Sequence, residues 1–337
     1  MAYTETKKPA FYVPYFDYMQ STGLITYPDL GDLSDVHLLD PSKTHRFNTA
    51  DVNQIDINFE KALPYSWIQD EDGYVYIFVL GHNLHSAGAS LSLSLIGDDD
   101  TVVTTDDVYE VVNYNGDTAP DYNGFSVYKA GFVADNIKTF RISIAVDNDA
   151  DIKLGCVSLC SKWTPPHTPD LSMSMVREFD GIKNKQTKGG ATISNAQYKR
   201  NGTYWATSNA WELTTGDYEP EEPEVKSSRT LGRRNWEMNF SYLDPENLMP
   251  EVESLKYYES DSYSSDSGIT IQENTKSFFS RVLNRVQGEH LPFIFQPDST
   301  NTNPDQWAMV RFDQDDFKLS QVAPSLYSMG MKIRESW

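Results

Sequence analysis

Two histidines, two acidic clusters, a pair of cysteines and one basic stretch are the places where this sequence could do chemistry. His82 and His85, in Gly81-His82-Asn83-Leu84-His85-Ser86-Ala87-Gly88, have a spacing that would let two imidazoles reach one metal ion if the segment were helical. Glycines bracket the segment and strand-like runs flank it, so the spacing reads as a turn that fixes no coordination geometry. The oxygens of Asp98-Asp99-Asp100 and of Asp147-Asn148-Asp149-Ala150-Asp151 would suit a hard cation such as calcium. Neither cluster has the sixth-position glycine and closing glutamate of an EF-hand loop, and both read as acidic hairpin turns. No metal and no cofactor is expected.

Cys156 and Cys160 are the only cysteines. Alternation along Lys153-Leu154-Gly155-Cys156-Val157-Ser158-Leu159-Cys160 would put both thiols on one face of a strand, two pleats apart and too far for a disulfide, so free thiols are expected. Lys183, Lys185 and Lys188, followed by Lys199 and Arg200, make the most basic stretch of an otherwise acidic chain. Two readings of it stand: a solvated flexible arm, or a segment that docks on an acidic neighbouring subunit.

Catalytic signatures are missing from the sequence: there is no Gly-x-Ser-x-Gly elbow, no phosphate-binding loop before a helix, no Cys-x-x-Cys pair and no dinucleotide fingerprint. The expected role is non-catalytic, with no catalytic residue to nominate. A glycosidase needs two carboxylates close in space rather than in sequence, so a polysaccharide-degrading enzyme stays as the weakest reading. Acidic residues outnumber basic ones by 49 to 28, for a formal charge of -21, and such a surface repels phosphate and anionic headgroups. Nucleic acid is not an expected partner. No run approaches 18 apolar residues, so no membrane-spanning helix is expected, and the polar start Met1-Ala2-Tyr3-Thr4-Glu5-Thr6-Lys7-Lys8 lacks the apolar core of a signal peptide.

The elements that must position these groups are mainly β-strands. Ile55-Asp56-Ile57-Asn58-Phe59, Leu91-Ser92-Leu93-Ser94-Leu95 and Phe140-Arg141-Ile142-Ser143-Ile144-Ala145-Val146 alternate with period two, as half-buried antiparallel strands do. The unbroken run Tyr74-Val75-Tyr76-Ile77-Phe78-Val79-Leu80 suits a central strand buried on both faces. Alternation resumes at Trp236-Glu237-Met238-Asn239-Phe240-Ser241-Tyr242 and again at Tyr327-Ser328-Met329-Gly330-Met331-Lys332-Ile333-Arg334. Between them Phe278, Phe279, Val282, Leu283 and Val286 form one apolar helical stripe, with Thr275 or Asn274 to cap it, Gly288 to end it and a strand at Leu291-Pro292-Phe293-Ile294-Phe295 to receive it.

At 337 residues two cores are expected. Residues 1–40 read as an N-terminal arm, 41–165 as an antiparallel β-sandwich, 166–230 as an extended connector with loops, and 231–337 as a β-sandwich or barrel with one packed α-helix near 275–287. The acidic, proline-containing Asp217-Tyr218-Glu219-Pro220-Glu221-Glu222-Pro223-Glu224 reads as an exposed loop within the connector. The aromatic cluster Phe11-Tyr12-Val13-Pro14-Tyr15-Phe16-Asp17-Tyr18 is too apolar for a free tail: either it closes the first core or it buries itself in a partner.

Three stretches resemble the two-domain minor or distal tail proteins of double-stranded DNA phages. They are Gly81-His82-Asn83-Leu84-His85-Ser86-Ala87-Gly88-Ala89; Gly232-Arg233-Arg234-Asn235-Trp236-Glu237-Met238-Asn239-Phe240-Ser241-Tyr242-Leu243; and Leu291-Pro292-Phe293-Ile294-Phe295-Gln296-Pro297-Asp298 together with Asp305-Gln306-Trp307-Ala308 and the ending Met331-Lys332-Ile333-Arg334-Glu335-Ser336-Trp337. The first looks like the turn after the central strand of a jelly-roll, galactose-binding-like module, and the resemblance implies that module at the N-terminus with a tail-tube-like domain after it. It further implies a virion protein of the tail tip, distal tail or baseplate, assembled in the host cytoplasm as a homo-oligomeric ring that connects tube or hub to fibres and other tail proteins. The competing reading is a host-surface carbohydrate-binding or adhesion module, with Tyr65, Trp67, Tyr114 and Tyr122 as the candidates to stack on a glycan.

Overall fold

The computed structural model describes residues 7–196 apart from 22–24, 27–35, 37–44, 49–53, 66–67, 71, 98, 105–107, 112–117, 133–135, 147–150 and 179–181, and then residues 233–248, 277–303 and 306–336. The strands in chain order are β1 (Ala10–Pro14), β2 (Ile25–Thr26), β3 (His45–Asn48), β4 (Gln54–Pro64), β5 (Tyr74–Leu80), β6 (Ala89–Ile96), β7 (Val102–Thr104), β8 (Val108–Glu110), β9 (Phe125–Gly131) and β10 (Asn136–Val146). They continue with β11 (Asp151–Leu154), β12 (Cys156–Trp163), β13 (Ser174–Glu178), β14 (Ile182–Gln186), β15 (Thr192–Ala196), β16 (Arg233–Leu243), β17 (Phe293–Gln296), β18 (Ala308–Phe312), β19 (Leu319–Ala323) and β20 (Leu326–Glu335). Among the described residues the helices are α1 (Tyr15–Ser21), α2 (Pro245–Leu248), and a π-helical turn at Phe279–Leu283 that runs straight into α3 (Asn284–Val286). The protein is therefore mainly β, as its period-two patterning requires.

The expected sandwich is present. Sheet β2-β4-β10-β6-β7 lies against one part of a longer sheet whose order is β13-β16-β20-β18-β17-β1-β12-β5-β9-β8, with β19 also paired to β20. Alternation decides which side chains meet in between. Ile55, Ile57 and Phe59 of β4, Leu91, Leu93 and Leu95 of β6, and Phe140, Ile142 and Ile144 of β10 face Val75, Ile77 and Val79 of β5 and Val157 and Leu159 of β12. Strand β5 is buried on its other face too, where Tyr76, Phe78 and Leu80 join Cys156, Cys160, Phe125 and Trp307. That double burial is what its unbroken apolar run foretold.

The long sheet does not stop near residue 165. Strand β1, which the sequence placed in an arm, pairs with β12 on one side, Phe11 opposite Trp163, and with β17 on the other, Phe11 opposite Phe295. It closes the first core and also opens the second, so the two expected domains share one sheet through it. Its alternate side chains enter different cores. Phe11 packs at ring-centroid distances of 5.6 Å from Trp163, 6.1 Å from Phe278, 6.0 Å from Phe293 and 5.3 Å from Phe295. Tyr12, pointing to the opposite face, packs 5.0 Å from Tyr76 and 5.0 Å from Trp307, and its hydroxyl donates to Gln296 Oε1 at 2.9 Å.

The C-terminal half is the remainder of this sheet, covered on one face by the π-helical turn and α3. Phe278, Val282, Leu283 and Val286 meet Phe293, Phe295, Val310, Phe312 and Trp236. The helix starts on Ser277, whose Oγ accepts the Ser280 N–H at 3.3 Å, while Thr275 and Asn274 lie outside the described residues. It ends through two left-handed residues, Gln287 at φ 53° and Gly288 at φ 70°, one residue before the glycine stop that the sequence suggested.

Arg281 and Arg285 are buried on this helix, and Arg234 is buried on the sheet. Arg285 donates from Nη1 to Ser161 Oγ of β12 at 2.6 Å and stacks 4.7 Å from the Tyr15 ring, which ties the helix to the first half of the molecule. Across the second half, Arg234 of β16 and Glu335 of β20 form an ion pair at 2.7 Å with side-chain exposures of only 10% and 3%. The Glu335 carboxylate also accepts the Arg234 backbone N–H at 2.5 Å, and Arg234 Nη2 donates to the Trp307 carbonyl at 2.9 Å.

Candidate interaction surface

The histidine segment is a turn. Gly81 at φ 64° and Gly88 at φ 60° mark its two ends in the left-handed region that favours glycine. Asn83 holds it to β11, accepting the Lys153 N–H at 2.7 Å and donating to the Asp151 carbonyl at 3.0 Å. His82 and His85 have separate environments. The His82 ring is wholly buried and its Nδ1 accepts the Leu84 N–H at 3.2 Å, whereas His85 Nδ1 lies 2.9 Å from the Pro120 carbonyl.

Burial pushes the His82 pKa from 6.5 down to about 3, with the nearby His85 acting in the same direction. A base held neutral in the folded state adds stability that is complete above its unfolded pKa and is lost as pH falls toward the folded value. Stability is therefore expected to decline by about 2 kcal/mol between pH 6.5 and 5, at ~1.4 kcal/mol per pH unit. Denaturant melts across that range should show the slope in the parent and a flatter line in His82→Asn, whose amide oxygen can still accept the Leu84 N–H. Parallel lines for the two proteins would remove His82 from the acid limb.

The acidic clusters serve turns where they are described. Asp99 Oδ1 accepts the Thr101 N–H at 3.0 Å, and Asp100 takes φ 61° and lies 3.4 Å from Lys138 Nζ. Asp98 and residues 147–150 lie outside the described residues. Cys156 and Cys160 are buried thiols outside any disulfide, and burial pushes the Cys160 thiol far up, out of reach of ionisation at neutral pH.

Of the glycan-stacking candidates, Tyr65 is withdrawn by the structure. It is 3% exposed, its hydroxyl donates to the Gly73 carbonyl at 3.0 Å and accepts the Phe132 N–H at 3.1 Å, and it offers no face to a sugar. Trp67 and Tyr114 lie outside the described residues, and Tyr122 is half-buried.

A shallow cleft opens beside β12, lined among others by Asp70, Asp72, Lys162 and Arg281. Asp70 is committed to fastening its own turn. Its Oδ1 accepts the N–H groups of Asp72 and Tyr74 at 3.0 and 2.9 Å, and its Oδ2 accepts the Tyr76 hydroxyl at 3.1 Å. Burial lowers the Lys162 pKa, opposed by the Asp70 charge.

Exposed apolar side chains gather at the other end of the long sheet. Residues 166–178, expected as connector, cross the sheet and add β13 beyond β16, with Ser174 opposite Glu237 and Glu178 opposite Arg233. Every β13 side chain is exposed, Met175 by 52% and Val176 by 54%, and Leu171 just before it is 93% exposed. Among the described residues β13 pairs only with β16, which makes it an edge strand with exposed apolar side chains.

Strands β14 and β15 then form a separate two-stranded hairpin, with Lys183 opposite Asn195 and Lys185 opposite Ile193. Its turn is well made: Thr187 N–H donates to the Ala191 carbonyl at 2.8 Å, and Gly190 takes φ 85°. All its described side chains are exposed. Sequence reasoning saw the lysines but took the stretch for an arm, because a hairpin with no apolar face leaves no alternation to read. Lys199 and Arg200 lie outside the described residues, as does the acidic loop at 217–224.

A third part of this end is an acidic groove between β16, β20 and the loop at 313–318. Glu237, Asp313, Asp315 and Asp316 line it with Lys318 and Lys332, and Lys332 Nζ lies 3.6 Å from Glu237.

No family model matches the chain, and no curated protein and no solved structure matches it. No described helix is long and apolar enough to cross a membrane.

Proposed function

We propose that the protein is a non-catalytic, self-assembling structural subunit of a bacteriophage tail, set at the tail tip, distal tail or baseplate, where it links the tube or hub to peripheral tail proteins. The observation that carries this reading is the exposed end of the long sheet: an edge strand, among the described residues, with exposed Met175 and Val176, followed by a hairpin whose described side chains are all exposed. A two-stranded hairpin is marginal in water by itself, and an exposed apolar edge is a liability to a monomer. Assembly relieves both. The resemblance of the Gly232–Leu243 and Leu291–Asp298 stretches to phage tail proteins supplies the setting, and the first of these includes β16, the strand that carries β13. The virion is then the place of action, and the host cytoplasm the place of assembly.

Light scattering on the purified protein, followed by electron microscopy of any large species, tests this. Closed rings, or rings stacked into tubes, are expected. A mass that stays at 38.3 kDa through the micromolar range would count against self-assembly.

A further inference from the structure

The exposed hairpin has a composition that selects its partner. From Ile182 to Ala196 it carries Lys183, Lys185 and Lys188 and no acidic residue, in a chain whose net charge is -21. The register sorts its side chains by face. Lys183, Lys185 and Ile193 share one face, because directly opposed residues in an antiparallel pair point the same way; Asn184, Gln186, Thr192 and Ser194 take the other. One face therefore presents two cations around Ile193, which is 58% exposed, and the third lysine stands in the turn. An apolar side chain ringed by charge is the pattern of a docking face, in which the anchor supplies affinity and the charges supply orientation.

The surface complementary to it is on the same polypeptide. The groove between β16, β20 and the 313–318 loop holds four carboxylates, Glu237, Asp313, Asp315 and Asp316, against two cations, Lys318 and Lys332, a net of two negative charges. Asp313, Asp315 and Asp316 are exposed, and Val322 of β19, 48% exposed, gives the neighbourhood an apolar contact for Ile193. Within one chain the hairpin stays clear of this groove, since all its described side chains remain exposed.

We infer that the β14–β15 hairpin of one copy docks, through Lys183, Lys185, Lys188 and Ile193, into the acidic groove of a second copy. Such a contact is heterologous, because the two surfaces differ, and it repeats from copy to copy to give a ring if the rotation closes or a filament if it does not. The inference rests on the self-assembly proposed above and specifies the contact that drives it.

Charge reversal on each surface separates the two claims. The hairpin variant is Lys183→Glu, Lys185→Glu and Lys188→Glu; the groove variant is Asp313→Lys, Asp315→Lys and Asp316→Lys, all at exposed positions, with unchanged circular dichroism as the check on folding. Each variant alone should remain at the mass of one chain at a concentration where the parent assembles. An equimolar mixture should recover the large species, because each altered surface then meets its opposite in the other variant. Assembly of either variant alone to the parental extent, or failure of the mixture, would overturn the hairpin-in-groove contact while leaving self-assembly standing. A parent that stays monomeric would overturn both. Loss of assembly in the hairpin variant but not in the groove variant would assign the lysines to a different acidic surface and sink the groove.

Discussion

Replacing Phe11 with alanine is expected to lower the free energy of unfolding by about 3–5 kcal/mol, the range for truncating a fully buried phenylalanine. The ring is 0% exposed and touches four other aromatic rings contributed by β12, β17 and the helical cover. The location of the loss makes it more than an ordinary cavity. Trp163 lies at the end of β12, whose Val157 and Leu159 enter the first core, while Phe278, Phe293 and Phe295 belong to the second, so the ring fastens the second core to a strand of the first. Urea unfolding followed by tryptophan fluorescence and by thiol accessibility of Cys156 and Cys160 should give coincident transitions in the parent. In Phe11→Ala the two probes should separate, with the C-terminal half melting first. A loss below about 1 kcal/mol with coincident probes would show that the halves are held together by something other than this ring.

Glu335→Ala should cost a similar amount, about 3–5 kcal/mol, for an electrostatic reason. The carboxylate accepts from both the backbone N–H and the Nε of Arg234, and removing it takes the ion pair from a guanidinium that is already inside the protein. Arg234 Nη2 keeps the Trp307 carbonyl, which cannot neutralise the charge. Glu335→Gln, which keeps an acceptor oxygen, should lose less. The double variant Arg234→Met with Glu335→Leu should recover most of the loss, because it removes both desolvation penalties together. Thermal melts of the four proteins check this. Equal destabilisation in the double variant and in Glu335→Ala would mean that packing, rather than the unpaired charge, sets the cost.

The strands that carry the sandwich were legible because half-burial writes alternation into the sequence. β4, β6 and β10 follow their alternating runs, and the doubly buried β5 spans the unbroken run Tyr74–Leu80. The helical stripe from Phe278 to Val286 was legible as well, but its π-helical turn was not, and neither was the burial of Arg281 and Arg285 beside it. Charged residues read as surface in any local pattern; only the distant Ser161 and Tyr15 reveal why Arg285 is inside. The same limit hid the role of Phe11 and Tyr12. Their aromatic character announced burial, yet the strands that bury them lie about 150 and 284 residues away, and no local spacing encodes such a pairing. β13 was missed because all its side chains face water, which gives a strand the texture of a loop.

The position of β1 sets a timetable for biosynthesis. It leaves the ribosome well before either of its two neighbours in the sheet, Cys156–Trp163 and Phe293–Gln296. At roughly 5–20 residues per second, about 15 to 60 s pass between the emergence of β1 and that of its last partner. Throughout that interval Phe11, Tyr12 and Val13 have at most one edge to pair with, so final closure of the sheet waits for β17. The nascent chain meanwhile presents a short aromatic strand of the kind that chaperones bind, and its yield in a foreign host should depend on how well that one strand is shielded until residue 296 arrives.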